Sequence, residues 1–242
     1  MINLVELKNI KKNYGSKEAV KDLSFQIKEN EVLGLLGPNG CGKTTTIGMM
    51  LGLLKPTSGE ILIDNKKIEE NRIEILKKIN FISPYIELPK KLTVKQNLIV
   101  YGKLYNIKNL NNNIDYLVEK LRLEELLNKI TGELSSGQKN RVSLAKALIN
   151  SPKVLLLDEP TASLDPEVGD YIRTFLENYK KERKISILLA SHNMNEVKRL
   201  CKFVLMMKDG VIIDKGSPSE LIEKHGQKNL EEVFLKLSRS KK

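Results

Sequence analysis

The sequence has no tryptophan, only two cysteines and few aromatic residues. Cys41 and Cys201 provide neither a disulfide framework nor metal-ligand spacing, and both fit a reducing compartment. Aromatic residues are 5% of the chain and do not cluster with basic residues, so a stacking platform for single-stranded nucleic acid is not indicated. No apolar run approaches the roughly 20 residues of a membrane-spanning helix. We therefore expect a cytoplasmic protein, or one held at the inner membrane face by a partner.

The chain of 242 residues carries a formal net charge of +11. A basic balance can favour nucleic acid or anionic lipid, but lysines spread along the whole chain are more typical of a solvated surface. Hydrophobic residues are 40% and charged residues 29%, which indicates a soluble globular protein with one sizeable domain or a core with a subdomain. Met1–Lys11 carries Glu6 and lacks a small-residue cleavage site, so we do not expect a secretory signal.

Three short apolar runs predict strands that are covered on both faces of a parallel sheet. These runs are Val32–Leu36, Val154–Leu157 and Ile185–Ala190. Polar residues follow each run at once. Because ligands of open α/β sheets bind beyond the carboxyl ends of the strands, we expect the three strand ends to build one site.

The rest of the chain shows other patterns. Alternating segments at Leu4–Leu7, Ala19–Ile27 and Ile61–Ile63 predict antiparallel strands. The stretch from Pro84 to Asn150 reads as a mostly helical insertion. Its proposed apolar face consists of Leu117, Leu121, Leu123, Leu126 and Leu127.

The segment after Cys201 predicts a hairpin with an Asp209–Gly210 turn, because Asp-Gly is a favoured two-residue turn. Ser217–Pro218 then opens a helix, since proline suits the first helical position.

The segment Gly37–Thr44 satisfies the phosphate-loop pattern between a predicted strand and the helix-like stretch Thr44–Leu54. Glycines let the backbone wrap a phosphate with its N–H groups pointing inward. Lys43 can reach the outer phosphates, and the Thr44 hydroxyl can hold Mg²⁺. We expect nucleotide contacts from Gly37, Pro38, Asn39, Gly40, Cys41, Gly42, Lys43, Thr44 and Thr45.

Two carboxylates end the apolar strand Val154–Leu157. Asp158 can position Mg²⁺, usually through water. Glu159 can orient or deprotonate an attacking water, which is worth roughly 10²–10⁴ in rate. Together with the phosphate loop, this pair predicts ATP hydrolysis.

The pentapeptide Leu134-Ser135-Ser136-Gly137-Gln138 closely resembles the signature of ATP-binding cassette (ABC) ATPases, with Ser136 where glycine is most usual. The resemblance extends over nearly the whole chain. It implies an α/β fold: a P-loop NTPase (RecA-like) core with an N-terminal antiparallel β subdomain and an inserted helical subdomain. The expected divisions are 1–83 for the first part of the core, 84–150 for the helical subdomain, 151–216 for the second part and 217–242 for a helical tail.

The same resemblance implies how ATP is held. Two cassettes pair head to tail, and Ser135, Ser136, Gly137 and Gln138 of one close over the ATP of the other. A single phosphate loop and a single signature therefore imply a homodimer or a pair with a related chain.

Further residues are assigned by resemblance. Tyr14 looks like the aromatic residue that stacks on adenine, with Val20 nearby. Ala162–Asp165 resembles the loop that crosses the dimer interface. His192 matches the histidine that contacts the γ-phosphate, whereas His225 is expected at the surface.

Two positions carry separate expectations. Pro84 stands where the family usually has a glutamine that touches Mg²⁺ or the water. The missing amide can be replaced by Ser83 or Tyr85, or water can complete the metal shell. The alternative consequences are slower turnover or a different coupling contact. Cys41 lies at a helix start beside Lys43, which predicts a lowered thiol pKa and reaction with maleimide unless MgATP protects it.

The expected role is the energy-coupling ATPase of a transporter whose integral membrane permease subunits are separate chains, with Tyr85–Thr93 as a docking surface. Gly210–Leu221 and Leu230–Leu235 resemble the bacterial branch that serves drug, antibiotic and lipid-type exporters. One alternative is a soluble ABC ATPase acting on nucleic acid or ribosomes. Such members usually join two cassettes or insert coiled coils or zinc-binding cysteine pairs, so no nucleic-acid partner is expected. Another is an ATP-gated clamp that hardly hydrolyses.

Overall fold

The computed structural model describes residues 3–84, 86–162 and 164–239. In chain order its elements are β1 (Asn3–Tyr14), β2 (Lys17–Lys28), β3 (Val32–Leu36), α1 (Lys43–Met50), β4 (Ser58–Ile63), β5 (Lys66–Lys67), α2 (Ile68–Leu76), β6 (Ile79–Ile82), α3 (Val94–Leu104), α4 (Leu110–Leu121), α5 (Ser136–Leu148), β7 (Val154–Asp158), α6 (Pro166–Arg183), β8 (Ser186–Ser191), α7 (Met194–Leu200), β9 (Phe203–Lys208), β10 (Val211–Gly216), α8 (Pro218–His225) and α9 (Leu230–Arg239). Short 3-10 turns at Glu124–Leu126 and Thr131–Glu133 lie between α4 and α5.

The chain divides into two compact units, each assembled from separate stretches of sequence. The first unit holds residues 3–76, 156–159 and 186–239, and the second holds 77–155 and 160–185. Strand β7 starts in the second unit and ends in the first. The four divisions expected from the sequence stay a prediction.

An antiparallel sheet in the first unit has the strand order β2-β1-β4-β5. Val5 of β1 lies opposite Ile27 of β2 and Ile63 of β4, and all three side chains are buried. The alternating apolar pattern therefore marks the face of this sheet that enters the core, as predicted.

A second sheet in the first unit has the order β10-β9-β3-β8 and continues into the end of β7. Strand β3 is parallel to β8 and β9, with Leu36 opposite Ser191 and Met206. All five residues of β3 are buried, as expected for a central parallel strand. The predicted hairpin is confirmed: β9 and β10 are antiparallel, and Asp209 and Gly210 have φ angles of 48° and 82°. Two left-handed residues are what a favoured two-residue hairpin turn requires.

The second unit contains helices α3 to α6 and strand β6, which lies beside β7 in the sheet order. The predicted leucine face is only partly helical, because α4 ends at Leu121 and Arg122 has a left-handed φ of 51°. Leu123 and Leu126 are buried, but they reach the core from the turn after α4, and Leu127 is half-buried.

Element boundaries differ slightly from the sequence expectation. Helix α1 ends at Met50 instead of Leu54, because Gly52 turns the chain with a φ of 62°. Helix α8 begins at Pro218 with Ser217 as its cap, as predicted. Within the described ranges, no helix is both long and apolar enough to cross a membrane.

Candidate nucleotide site

The phosphate loop connects the end of β3 to the start of α1. The Lys43 ammonium points back into the loop, where Nζ donates to the carbonyl oxygens of Gly37 at 2.7 Å and Pro38 at 3.2 Å. Only 6% of Lys43 is exposed, so its charge lies inside the loop. The loop therefore presents a buried cation at the N-terminus of a helix, which is an anion-binding arrangement.

Two glycines in the loop are required by sterics. A Cβ at Gly37 would lie 2.4 Å from the Met207 carbonyl oxygen, and one at Gly42 would lie 2.7 Å from the Ala19 carbonyl oxygen. Gly42 also has a φ of 111°, which side chains rarely tolerate. The hairpin turn braces the loop, because the Gly210 amide donates to the Cys41 carbonyl oxygen at 3.1 Å. Close backbone contacts therefore fix the shape of the loop.

A hydroxyl and a carboxylate meet beside the loop. Thr44 Oγ1 donates to Asp158 Oδ2 at 2.9 Å. Asp158 is the last residue of β7 and is 1% exposed. Oxygen ligands of this kind suit Mg²⁺, so the donor set fits the ion predicted for these two residues.

Glu159 bends the chain directly after β7. Its φ is 51°, a strained value for a residue with a side chain, and its amide donates to the Ala190 carbonyl oxygen at 2.8 Å. His192 Nδ1 lies 2.8 Å from Glu159 Oε2. Glu159 Oε1 is buried and has no hydrogen-bond partner among the residues described. The structure therefore brings Glu159 and His192 together, as their sequence positions predict.

Residues that the sequence did not single out hold His192 in place. The Asn193 side chain accepts from the amides of Asn195 and Glu196 and so caps α7. Ser191 Oγ donates to the fully buried Glu196 carboxylate at 2.7 Å and accepts from the Asn193 amide at 3.0 Å. Asparagine before a helical pattern is a recognised start signal, so this cap could have been predicted.

The proposed adenine contacts lie on the β1–β2 hairpin. Tyr14 is 47% exposed, and Lys12 Nζ lies 5.1 Å from the centre of its ring. Val20 is fully buried, with its side chain beside Gly42. An exposed ring can accept a base, whereas Val20 presents no open surface, and both assignments stay predictions. Of the remaining loop residues, Asn39 and Gly40 are exposed and Thr45 is half-buried.

The expectation of a lowered pKa for the Cys41 thiol is wrong. Burial raises the pKa of the Cys41 thiol, although the nearby Lys43 charge acts to lower it. Only 3% of the residue is exposed, and its sulfur would lie 2.5 Å from a Cβ at Gly37. Cys41 is a small residue that fills the space behind the loop.

The signature belongs to the second unit and opens α5. Ser135 caps this helix: its Oγ accepts from the Gln138 amide at 3.3 Å, while Gln138 Oε1 accepts from the Ser135 amide at 3.0 Å. The cap uses a lone pair of the Ser135 hydroxyl and leaves its proton free to donate. Ser136 is the first helical residue and exposed, so serine replaces the usual glycine there without backbone strain.

Some predicted positions lie elsewhere or outside the described residues. Pro84 is exposed, in a turn closed by the Ile86 amide and the Ser83 carbonyl oxygen at 3.2 Å. Tyr85, in the proposed docking surface, and Ser163, in the proposed interface loop Ala162–Asp165, are outside the described residues.

His225 is not the free surface residue that the sequence suggested. Its side chain is 15% exposed, and its Nε2 lies 2.6 Å from Asp214 Oδ2. Lys224 Nζ lies 2.6 Å from the other carboxylate oxygen. Burial acts to raise the pKa of Asp214, but the hydrogen bonds from Lys224 and His225 hold it below its usual value. This cluster fastens α8 to β10.

Comparison with known proteins identifies the family. The family model described as ABC transporter matches residues 20–162, more than half of the chain. The chain belongs to the ABC transporter family. The prediction made from the signature and the phosphate loop is therefore confirmed, and the chain is an ATP-binding, ATP-hydrolysing ABC protein.

Individual relatives agree with this membership. The chain is 36% identical over 234 residues to the bacitracin transport ATP-binding protein BcrA of Bacillus licheniformis, covering 96% of this chain and 75% of that protein. It is 39% identical over 222 residues to a Nod factor export ATP-binding protein I of Rhizobium johnstonii, covering 90% and 71%. A dimeric ATP-binding cassette solved in a post-hydrolysis state with ADP and Pi has a TM-score of 0.81 and 28% identity, covering 88% of this chain and 98% of that one. The likeness to the exporter branch and to the P-loop NTPase fold is thus confirmed.

Proposed function

We propose that this ATPase is the energy-coupling subunit of an exporter and works as a nucleotide-sandwich dimer on separate membrane subunits. The observation that carries the proposal is the grouping of Lys43, Thr44, Asp158, Glu159 and His192 around one phosphate loop. The relatives named above are transport and export ATP-binding proteins, which supports the exporter assignment.

Each residue of this group has a distinct task. Lys43 and the loop amides bind the β- and γ-phosphates of ATP. Thr44 and Asp158 would hold Mg²⁺, which would neutralise phosphate charge. Glu159 Oε1 accepts a proton from the attacking water, while His192 Nδ1–H donates to Oε2 and fixes the orientation of the carboxylate.

A second copy completes the site in this proposal. The Ser135 hydroxyl proton and the Gly137 amide at the start of α5 bind the γ-phosphate held by the partner copy. Closure of the dimer pulls on membrane subunits that dock near residues 85–93, and hydrolysis reopens it. The chain would then work at the inner face of the membrane. The dimeric solved cassette supports this arrangement.

Glu159→Gln tests the proposal. The variant keeps the size of the side chain but removes the base, so ATP hydrolysis should fall by about 100-fold or more while ATP binding is retained. ATP should then convert the variant from monomer to dimer in gel filtration. Glu69→Gln, on the exposed face of α2, is the matched control and should keep full activity.

Two results would contradict the proposal. A Glu159→Gln protein that stays monomeric with ATP would remove the sandwich dimer. A wild-type protein without measurable ATP hydrolysis would favour an ATP-gated clamp over an ATP-hydrolysing transport subunit.

A further inference from the structure

The amide side chain of Asn97 is an unusual feature of the second unit. Asn97 lies in the first turn of α3 and is 0% exposed. Its Nδ2 donates to the carbonyl oxygens of Pro89 at 3.2 Å and Thr93 at 3.1 Å. Its Oδ1 has no partner in the part of the chain that is described. An unpaired buried acceptor is unfavourable, so an apolar residue would suit packing better unless the donated bonds are needed.

The shortest bond of Asn97 reaches a distant part of the chain. Its Nδ2 donates to Thr131 Oγ1 at 2.7 Å, across 34 residues of sequence. Thr131 Oγ1 in turn donates to the Leu92 carbonyl oxygen at 2.8 Å, and the Thr131 amide donates to the same oxygen at 2.9 Å. The Gly132 amide donates to the Lys90 carbonyl oxygen at 3.0 Å. These bonds hold residues 89–93, which we call the 89–93 loop, against residues 129–132.

Thr131 is separated from the signature by only a short turn. The 3-10 turn Thr131–Glu133 is followed by buried Leu134 and then by Ser135, the cap of α5. This turn has its own hydrogen bonds, from the Leu134 amide to the Thr131 carbonyl oxygen at 3.4 Å and from the Glu133 amide to Ile130 at 3.0 Å. Because no flexible segment lies between this turn and α5, the position of Thr131 determines the position of the first turn of α5.

A separate contact holds the body of α5. Arg141 Nη1 donates to the carbonyl oxygens of Leu121 at 3.2 Å and Arg122 at 2.9 Å, at the end of α4. Arg141 lies three residues beyond Gln138, the last residue of the signature. Asn140 Nδ2 also donates to the Pro160 carbonyl oxygen at 2.6 Å. Both contacts follow the signature, so the bonds of Asn97 and Thr131 are the ones that hold the chain just before it.

We propose that Asn97 is a positioning residue for the ATP-bound dimer. Acting through Thr131, it fixes the Ser135 hydroxyl and the Gly137 amide in the direction that meets the γ-phosphate of the partner copy. It also connects these donors to the 89–93 loop, so that a displacement of the 89–93 loop moves the signature. Asn97 itself touches no nucleotide. The inference rests on the proposed nucleotide-sandwich dimer.

The experiment measures the dimer dissociation constant in saturating MgATP, by sedimentation in the Glu159→Gln background. Asn97→Ala and Thr131→Val each remove the connecting bond, and we expect each to weaken one signature contact by about tenfold. Because a dimer contains two such contacts, its dissociation constant should rise about 100-fold. The double variant should be no worse than either single variant, because both remove the same link.

The controls separate positioning from general damage. Thr131→Ser keeps the hydroxyl, and its dimer dissociation constant should stay within about threefold of the parent value. If Asn97→Ala fails to fold, the comparison of Thr131→Ser with Thr131→Val still tests the inference. Gln96→Ala removes a capping bond from the same helix without touching Thr131, and it should leave the dissociation constant within about twofold. The affinity of the monomer for a fluorescent ATP analogue should be unchanged in all variants, because the phosphate loop belongs to the other unit.

Three outcomes would overturn the inference. Asn97→Ala could dimerise like Gln96→Ala, the effects of Asn97→Ala and Thr131→Val could add, or the affinity of the monomer for ATP could fall in parallel with dimerisation. A Glu159→Gln parent that remains monomeric would refute the proposed function and this inference together. A dimeric parent with an unaffected Asn97→Ala variant would refute this inference alone.

Discussion

Replacing Lys146 with methionine should stabilise the protein. Lys146 lies on α5 and is 9% exposed. Its Nζ makes one long hydrogen bond, to the Phe81 carbonyl oxygen at 3.5 Å, and lies 4.8 Å and 5.3 Å from the ring centres of Phe81 and Tyr101. No ion pair joins it to a carboxylate in the described ranges. A buried ammonium without a carboxylate partner is expensive.

The magnitude follows from the effect of burial on the charge. Burial lowers the pKa of Lys146 from 10.5 to about 8. Since each pKa unit corresponds to about 1.4 kcal/mol, keeping the charge at neutral pH costs about 3 kcal/mol. Cation–π attraction by the two rings returns about 1 kcal/mol. Methionine has a similar length and no charge, so Lys146→Met should raise the free energy of unfolding at pH 7 by about 2 kcal/mol.

The pH dependence gives a second, independent signature. Between about pH 8 and pH 10.5 the unfolded chain binds more protons at Lys146 than the folded chain does, so this residue makes stability rise with pH in that window. Urea unfolding of the wild type and of Lys146→Met at several pH values should show a smaller rise in the variant. Lys103→Met replaces an exposed lysine of α3 and should change stability by less than about 0.5 kcal/mol. A Lys146→Met protein that is less stable than the wild type, with the same pH slope, would refute the reasoning.

Other changes probe the nucleotide site and the C-terminal elements. Thr44→Val removes the hydroxyl that donates to Asp158 and should lower Mg²⁺-dependent hydrolysis by about 10- to 100-fold, whereas Thr44→Ser should retain it. Maleimide should label Cys41 and Cys201 slowly in the folded protein, at the same rate with and without MgATP, because burial raises both thiol pKa values; protection by MgATP would contradict this. Asp214→Asn removes the charged acceptor of the Lys224 and His225 hydrogen bonds and should lower the free energy of unfolding at pH 7 by about 1–2 kcal/mol. The pKa of Asp214 is lowered in the folded protein, so the loss should shrink as pH falls from about 4 through this lowered pKa; a constant loss down to pH 2 would exclude this cause.

Much of the fold could be predicted because local signals agreed with it. The apolar run Val32–Leu36 forms β3 with the predicted ends, since every residue in it is buried. The turn at Asp209–Gly210 and the cap at Ser217 follow from residue chemistry alone. Gly37–Thr44, Asp158–Glu159 and His192 each follow a predicted parallel strand. Their grouping into one site could be predicted because parallel strands end at the same edge of a sheet.

The failures share one physical origin. Cys41 was interpreted from its neighbours in sequence, but burial against Gly37 controls its pKa. His225 was placed at the surface because nothing near it in sequence suggested Asp214 as a partner. The bond from Asn97 to Thr131 joins residues 34 positions apart, and no periodicity reveals such a contact. In each case a three-dimensional contact that the local sequence pattern does not show decided the outcome.

The division of β7 and the bracing of the phosphate loop also have a consequence for biosynthesis. The loop is translated early, but Asp158 and Glu159 follow it by more than 100 residues, and the brace at Gly210 comes still later. The second unit ends at residue 185, so all of it is synthesised before β8, His192 or the Gly210 turn exists. Because chains emerge from the ribosome N-terminus first, the nascent protein can complete its signature well before it can hold ATP.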